Sequence, residues 1–158
     1  MNEYDVVCLN ASDDTYYRDV KSLFSQVFPQ FERSDIIKSW EWRDKKYSYV
    51  AYSKKSNRII AFILVQLDGP SNLYVSYMAV HPDDRGIGIG AIVVKTLLKM
   101  AKRDQKAVRL IPLMRVRKFY EKLGFYSTGK NHAYNFHCYG TRSAVKAAHG
   151  SMPPHSHS

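Results

Sequence analysis

The sequence predicts an α+β fold, and three observations carry that prediction. Short alternating apolar runs and longer amphipathic runs follow one another in the order β-α-α-β-β-β-α-β-α-β-β. Three strands are grouped in the middle, which separates this chain from a fully alternating α/β wind. A glycine-rich stretch, His81-Pro82-Asp83-Asp84-Arg85-Gly86-Ile87-Gly88-Ile89-Gly90, joins an alternating run to an amphipathic one. With 158 residues and 45% hydrophobic content, the chain has the size and composition of one globular core.

Taken in order, Tyr4 to Leu9 alternates and predicts a first strand. Asn10 to Asp14 is turn-like, and Ser12 or Asp13 is suited to cap a helix running to about Val27. Val20, Phe24 and Val27 recur at helical spacing and predict its core face; Pro29 ends it. Ser34 or Asp35 is read as the start of a second helix reaching about Arg43, with Trp40 and Trp42 as packing anchors. Tyr47 to Tyr52 and Arg58 to Leu67, joined by the polar turn Lys54 to Asn57, predict an antiparallel hairpin. Asp68 to Asn72 is the next turn and Leu73 to Val80 the fourth strand. After the glycine-rich loop, Ala91 to about Arg103 predicts a third helix packed through Ile92, Val93, Thr96, Leu97 and Met100. Ala107 to Ile111 is a fifth strand, parallel to the fourth through the helical crossover. Met114 to Leu123 is a fourth helix with Gly124 as its C-cap. Phe125 to Ser127 begins a sixth strand and Ala133 to Tyr139 forms a seventh.

Residues 1–140 are expected to form one domain and 141–158 a disordered tail, because periodicity ends at Gly140. The tail's histidines could hold a stray metal, but nothing elsewhere has ligand spacing, and no metal is expected.

Alternate glycines bring backbone N–H groups close to a ligand with no Cβ in the way. The helix behind them adds unpaired N–H groups and a positive dipole end. Together they predict an anion site suited to phosphate or pyrophosphate, with Arg85 at its mouth. A P-loop is excluded, since the stretch ends Gly90-Ala91-Ile92 without Lys-Ser/Thr. A dinucleotide loop fits poorly, because the spacing from Gly86 is G-x-G-x-G and the region around Leu110 is apolar. The pattern that fits is the acyl-CoA pyrophosphate loop, Gln/Arg-x-x-Gly-x-Gly/Ala, met by Arg85, Gly88 and Gly90.

On these residues the chain resembles the GNAT family of N-acetyltransferases. A strand ending Met78-Ala79-Val80-His81-Pro82 before the loop is typical of that family. Arg117-Lys118-Phe119-Tyr120-Glu121-Lys122-Leu123-Gly124-Phe125 is similar to its Phe-Tyr-x-x-x-Gly-Phe element, one helix and one strand later. The resemblance covers about Tyr74 to Phe125 by motif and the remainder by element order. Leu113 stands where asparagine is common, and Val116 where alanine is common. The resemblance implies the GNAT fold, a mixed sheet of about seven strands splayed between the fourth and fifth, with about four helices.

It also implies direct attack of an amine on acetyl-CoA. Arg85 and the amides of Gly86, Ile87, Gly88, Ile89, Gly90 and Ala91 are expected to bind the cofactor's pyrophosphate. Backbone groups of Met78, Ala79 and Val80 are expected to hold the thioester, and Tyr120 to act as general acid toward the leaving thiolate. An amine of pKa ~10.4 is neutral in only about 1 molecule in 2,500 at pH 7, so its proton must be removed. The fourth strand holds no carboxylate; Ser76 or Tyr74 through water, Asp68 and Glu32 are the candidate bases. His81 is read as structural or phosphate-side.

A net charge of +10 fits an anionic cofactor, a nucleic-acid surface or plain solubility. Its basic residues are scattered, without the dense stripe that argues for nucleic acid. Cys8 and Cys138 lie in strand-like segments, which favours free thiols and an intracellular, cytoplasmic location, the nucleus remaining open. No apolar run reaches the ~18 residues of a membrane span. The expected partners are acetyl-CoA and an amine acceptor, with the chain a monomer or homodimer. Two rival readings stay open: a non-catalytic acyl-CoA-binding module on the same fold, and a basic nucleic-acid-binding protein.

Overall fold

The structure is a computed structural model, and it describes residues 3–10 and 14–136. The predicted caps Ser12 and Asp13, Cys138 and the segment 141–158 lie outside the described residues. Among the described residues seven strands are hydrogen-bonded in the order β1-β2-β3-β4-β5-β7-β6, with β1 Tyr4–Cys8, β2 Tyr49–Ser53, β3 Arg58–Leu67, β4 Asn72–Val80, β5 Ala107–Leu110, β6 Tyr126–Ser127 and β7 Tyr134–Phe136. The helices are α1 Tyr17–Val27, α2 Arg33–Glu41, α3 Ile89–Arg103 and α4 Arg117–Lys122. β4 and β5 are parallel, while β1-β2, β2-β3, β5-β7 and β6-β7 are antiparallel, so the sheet is mixed. The chain divides into two compact units. One is built from the chain up to Gln66 with Ser76–Leu97, the other from Leu67–Val75 with the chain from Leu98 onward.

In the first unit β3 carries the core. Ile59 through Val65 are buried without a break, so both faces of this central strand are covered. β2 lies beside it with a bulge at Ala51/Tyr52. α1 buries Val20, Leu23 and Phe24 at helical spacing, while Val27 is half-buried. α1 begins at Tyr17, later than the expected cap, with Tyr16 in the N-cap position. α2 begins one residue before Ser34. Glu32 is its cap and accepts from the third helical N–H, while Asp35 accepts from the Glu32 N–H at 3.0 Å. This reciprocal box satisfies two otherwise unpaired donors, which explains why Asp35 sits inside the helix instead of starting it. Trp40 is 3% exposed, stacked on Tyr17, and donates to Asp14; Trp42 is 65% exposed and is no packing anchor.

The second unit holds the start of β4, the end of α3 and β5. α3 ends on Gln105 at φ 56°, with Lys106 N–H bonded to Ala101 C=O and Gln105 N–H to Lys102 C=O. These two bonds make a Schellman cap. β4 and β5 pair over Asn72–Tyr74 with Ala107–Arg109 and no further. The predicted fourth helix is shorter than expected: a 3-10 turn, Met114–Val116, precedes six α-helical residues. A second Schellman cap closes it, with Phe125 N–H on Tyr120 C=O and Gly124 N–H on Glu121 C=O. Gly124 has φ +102°, and a Cβ there would lie 2.8 Å from the Phe136 ring, so only glycine fits without displacement.

Candidate active site

The glycine-rich segment resolves into two parts. Pro82–Asp84 forms a 3-10 turn, and Arg85 to Gly88 forms the loop proper. Gly86 and Gly88 hold φ of +88° and +85°, a region that side chains disfavour. A Cβ at either position would meet nothing within 4 Å, so the space above the loop is open. Ile89 and Gly90, expected in the loop, instead form the first turn of α3. The first bond of that helix runs from Ile92 N–H to Gly88 C=O at 3.1 Å. The N–H groups of Ile89, Gly90 and Ala91 therefore have no acceptor within the helix. Three donors, the positive end of a 15-residue helix and an open glycine loop converge at one place. Arg85 is exposed and makes no ion pair among the described residues. An arginine free of protein carboxylates is available to an anionic ligand.

The turn before the loop is braced. His81 N–H donates to Ile60 C=O at 2.7 Å, and His81 Nδ1 accepts from Asp83 N–H at 3.2 Å. Arg58 lies 3.7 Å from Asp83 and 3.6 Å from Asp84. His81 is thus an N-cap, as its structural reading expects. The two aspartates are held by Arg58, a role that no local sequence signal announces because Arg58 lies on another strand.

Within the first unit, β4 contributes Ser76 to Val80. Ala79 is buried, while Ser76, Tyr77, Met78 and Val80 are half-buried. Since β5 pairs only as far as Tyr74, this stretch has no β5 partner. Ser76 Oγ is buried with no hydrogen-bond partner. Tyr77 joins Phe24, Phe28 and Phe31 in an aromatic cluster, with ring centroids 4.9–6.2 Å apart. The Phe24, Phe28, Phe31 spacing is visible in the sequence, but Pro29 and the turn after it hide its continuation as one surface.

In the second unit Tyr120 is 6% exposed and packed edge-on against Phe119 and Phe125, at 5.0 and 5.4 Å between centroids. Burial raises the phenol well above its ordinary range, so it holds its proton throughout the neutral range. The turn between β3 and β4 is tied to β5: Asp68 meets Arg109 at 2.6 Å, and Lys106 donates to Pro70 C=O at 2.6 Å. The Arg109 side chain is 5% exposed. A buried guanidinium needs its counter-ion, so Asp68 is occupied as a structural partner and fits poorly as a base. Glu32 is likewise engaged, in the α2 capping box. Of the expected bases, Ser76 and Tyr74 are the hydroxyl-bearing residues of β4.

Among the described residues no group of three or more histidine, cysteine or acidic side chains could hold a metal ion. Cys8 is a free thiol that donates to Lys45 C=O, and burial pushes its pKa up. No helix among the described residues is long and apolar enough to cross a membrane.

A parallel β4-β5 pair that parts early, followed by a glycine loop and the N-terminus of α3, has the arrangement of an acyltransferase fold. Residues 14–125 match the model of the acetyltransferase (GNAT) family, and the chain belongs to that family. An uncharacterized N-acetyltransferase, ycf52 of Porphyra purpurea, is 29% identical over 79 residues. That match covers 49% of this chain and 45% of the relative, so the chain spans less than half of the curated relative it matches. An acetyltransferase of the GNAT family from Staphylococcus aureus superposes with a TM-score of 0.70 at 14% identity, over 85% of this chain and 99% of that one. The NatC complex bound to Gag peptide and CoA contains a chain with TM-score 0.68 at 19% identity, over 85% and 96% respectively. At such identities these two structures establish the fold.

Proposed function

We propose that this chain transfers the acetyl group of acetyl-CoA to a primary amine by direct attack. The observation that carries the reading is the α3 N-terminus, where three amides without an acceptor in the helix adjoin an open glycine loop beside an exposed arginine. Family membership supports the same chemistry. The residues fit a pyrophosphate: Gly86, Ile87, Gly88, Ile89, Gly90 and Ala91 offer amides, and Arg85 offers a fixed charge. Met78, Ala79 and Val80 offer backbone groups on β4 to orient a thioester and to donate to its developing oxyanion.

Acetyl-CoA, when bound, supplies the activated acyl carbon. The amine nitrogen bonds to that carbon, the C–S bond breaks, and sulfur leaves with the electron pair. Tyr120 serves as the proton donor to that sulfur. Burial raises its pKa, so the phenol stays protonated at neutral pH and keeps an O–H to donate as negative charge develops on sulfur. β4 carries no carboxylate, and the ammonium proton leaves through water held by the Ser76 or Tyr74 hydroxyl. The acceptor is a small-molecule amine or the amine of a peptide or protein.

Release of free CoA thiol tests this. Wild-type protein with acetyl-CoA and a panel of amines, polyamines and peptides is expected to release thiol in step with acetylated product. Tyr120→Phe is expected to lower kcat roughly 10²- to 10⁴-fold while keeping cofactor affinity. Cofactor binding without turnover of any amine would favour the non-catalytic acyl-CoA-binding module. Salt-sensitive retention on DNA with no cofactor binding would favour the nucleic-acid reading.

A further inference from the structure

We propose that Arg58 is a positioning residue for the cofactor loop. It neutralises Asp83 and Asp84, the two carboxylates at the entrance of an anion site, and it anchors the turn from which the loop departs. The inference rests on the acetyl-CoA reading of that loop and adds to it a residue from another strand.

The need for such a residue is electrostatic. Asp83 and Asp84 directly precede Arg85 in the chain. Two carboxylates there repel a pyrophosphate, since charges within a Debye length of about 8 Å are poorly screened at physiological salt. Against Arg85 alone they leave the loop's side chains with a net negative charge. Arg58 redresses this: its Nη2 lies 3.7 Å from Asp83 and 3.6 Å from Asp84. Arg58 and Arg85 together balance the two aspartates, so the loop amides and the α3 dipole remain as net attraction for an anion. The backbone brings the partners together. Arg58 opens β3, and two residues along it Ile60 C=O accepts the His81 N–H at 2.7 Å, which sets the turn beside Arg58.

Asp84 is the more enclosed of the two. Its side chain is 23% exposed against 76% for Asp83, and its Oδ2 is buried without a hydrogen-bond partner. A charged oxygen withdrawn from water needs a cation beside it. His81 Nδ1 is 3.8 Å away, but it accepts the Asp83 N–H and so carries a lone pair there instead of a proton. Among the described residues, that leaves Arg58 as the cation at Asp84. At 3.6 Å the two interact through charge and make no hydrogen bond. The turn is otherwise held by Pro82, with its fixed φ, and by Asp84 N–H on His81 C=O at 2.9 Å. Beyond it Gly86 and Gly88 have no side chains to brace the loop, so its upstream end is fixed at this turn.

Calorimetric titration of the full chain with acetyl-CoA, at low and high salt, tests the proposal. Arg58→Met removes the charge and keeps the side-chain length. It is expected to raise Kd about 5- to 20-fold at about 20 mM salt, with the ratio to wild type shrinking toward one at about 0.5 M salt. Arg58→Lys is expected to regain most of the affinity, because a point charge suffices where no hydrogen bond is made. Arg58→Met combined with Asp83→Asn and Asp84→Asn removes the repelling charges as well, and is expected to bind within about threefold of wild type. That combination leaves no buried charge unpaired, so it keeps the test open should Arg58→Met alone fail to fold, which melting without cofactor reports. An Arg58→Met Kd within about twofold of wild type at low salt would overturn the inference. So would a loss that salt does not diminish, a lysine no better than methionine, or a combined variant as weak as Arg58→Met. Absence of acetyl-CoA binding by the wild type would overturn the cofactor reading itself.

Discussion

Arg109 shows how one side chain's burial fixes the role of another. Its guanidinium is 5% exposed, and Asp68 supplies the carboxylate at 2.6 Å. Removing that carboxylate leaves a buried charge without its partner, which costs roughly 3 kcal/mol. Asp68→Ala is therefore expected to lower the denaturant midpoint sharply with little change in the slope. A midpoint within a few tenths of a molar of wild type would show that Arg109 is satisfied without Asp68. From the sequence alone, Asp68 is a turn carboxylate available for catalysis. Its partner lies 41 residues away, and only the parallel pairing of β4 with β5 brings the two together. Glu32 is similar at shorter range: an acid in a loop by sequence, a helix cap in the structure. Arg85, Gly86 and Gly88 behave oppositely. Their positions follow from local backbone chemistry: the glycines take the positive φ that their spacing predicts, and Arg85 stands exposed beside them.

Helices and strands show the same division between local and distant causes. β3 was legible to the residue, because an unbroken apolar run bounded by a polar turn has few other readings. α3 was legible in its stripe but not in its start. Ile89 and Gly90 read as loop, yet Gly90 takes a helical place because the chain turns at Gly88. α4 was overestimated because Met114, Arg115 and Val116 are compatible with helix, while the structure confines them to a 3-10 turn. The far end of α3 offers a direct test of its cap. Gln105 occupies the C′ position at φ 56°, where a β-carbon is strained and glycine is not. Gln105→Gly is expected to raise stability by about 0.5–1 kcal/mol in equilibrium unfolding, without loss of turnover. A destabilised Gln105→Gly protein would mean that the Gln105 side chain contributes more than its backbone costs.

At the scale of the whole molecule, the family fold follows from element order and two motifs, and the chain's match over residues 14–125 agrees with both. The cluster of Phe24, Phe28, Phe31 and Tyr77 could not be read at that scale, because its side chains come from α1, the α1–α2 connection and β4 and converge only in space. The net charge of +10 acts globally, favouring an anionic cofactor without naming one. Thermal unfolding with and without acetyl-CoA tests the central claim most directly. A ligand at 100 times its Kd stabilises by about 2.7 kcal/mol, or roughly 5–10 °C in Tm for a chain of this size. Wild-type protein is expected to show that shift, and Gly88→Val to lose it, since the branched side chain would occupy the open space above the loop at φ +85°. A wild-type Tm unmoved by saturating acetyl-CoA, or a Gly88→Val protein shifted as far as wild type, would contradict cofactor binding at this helix terminus.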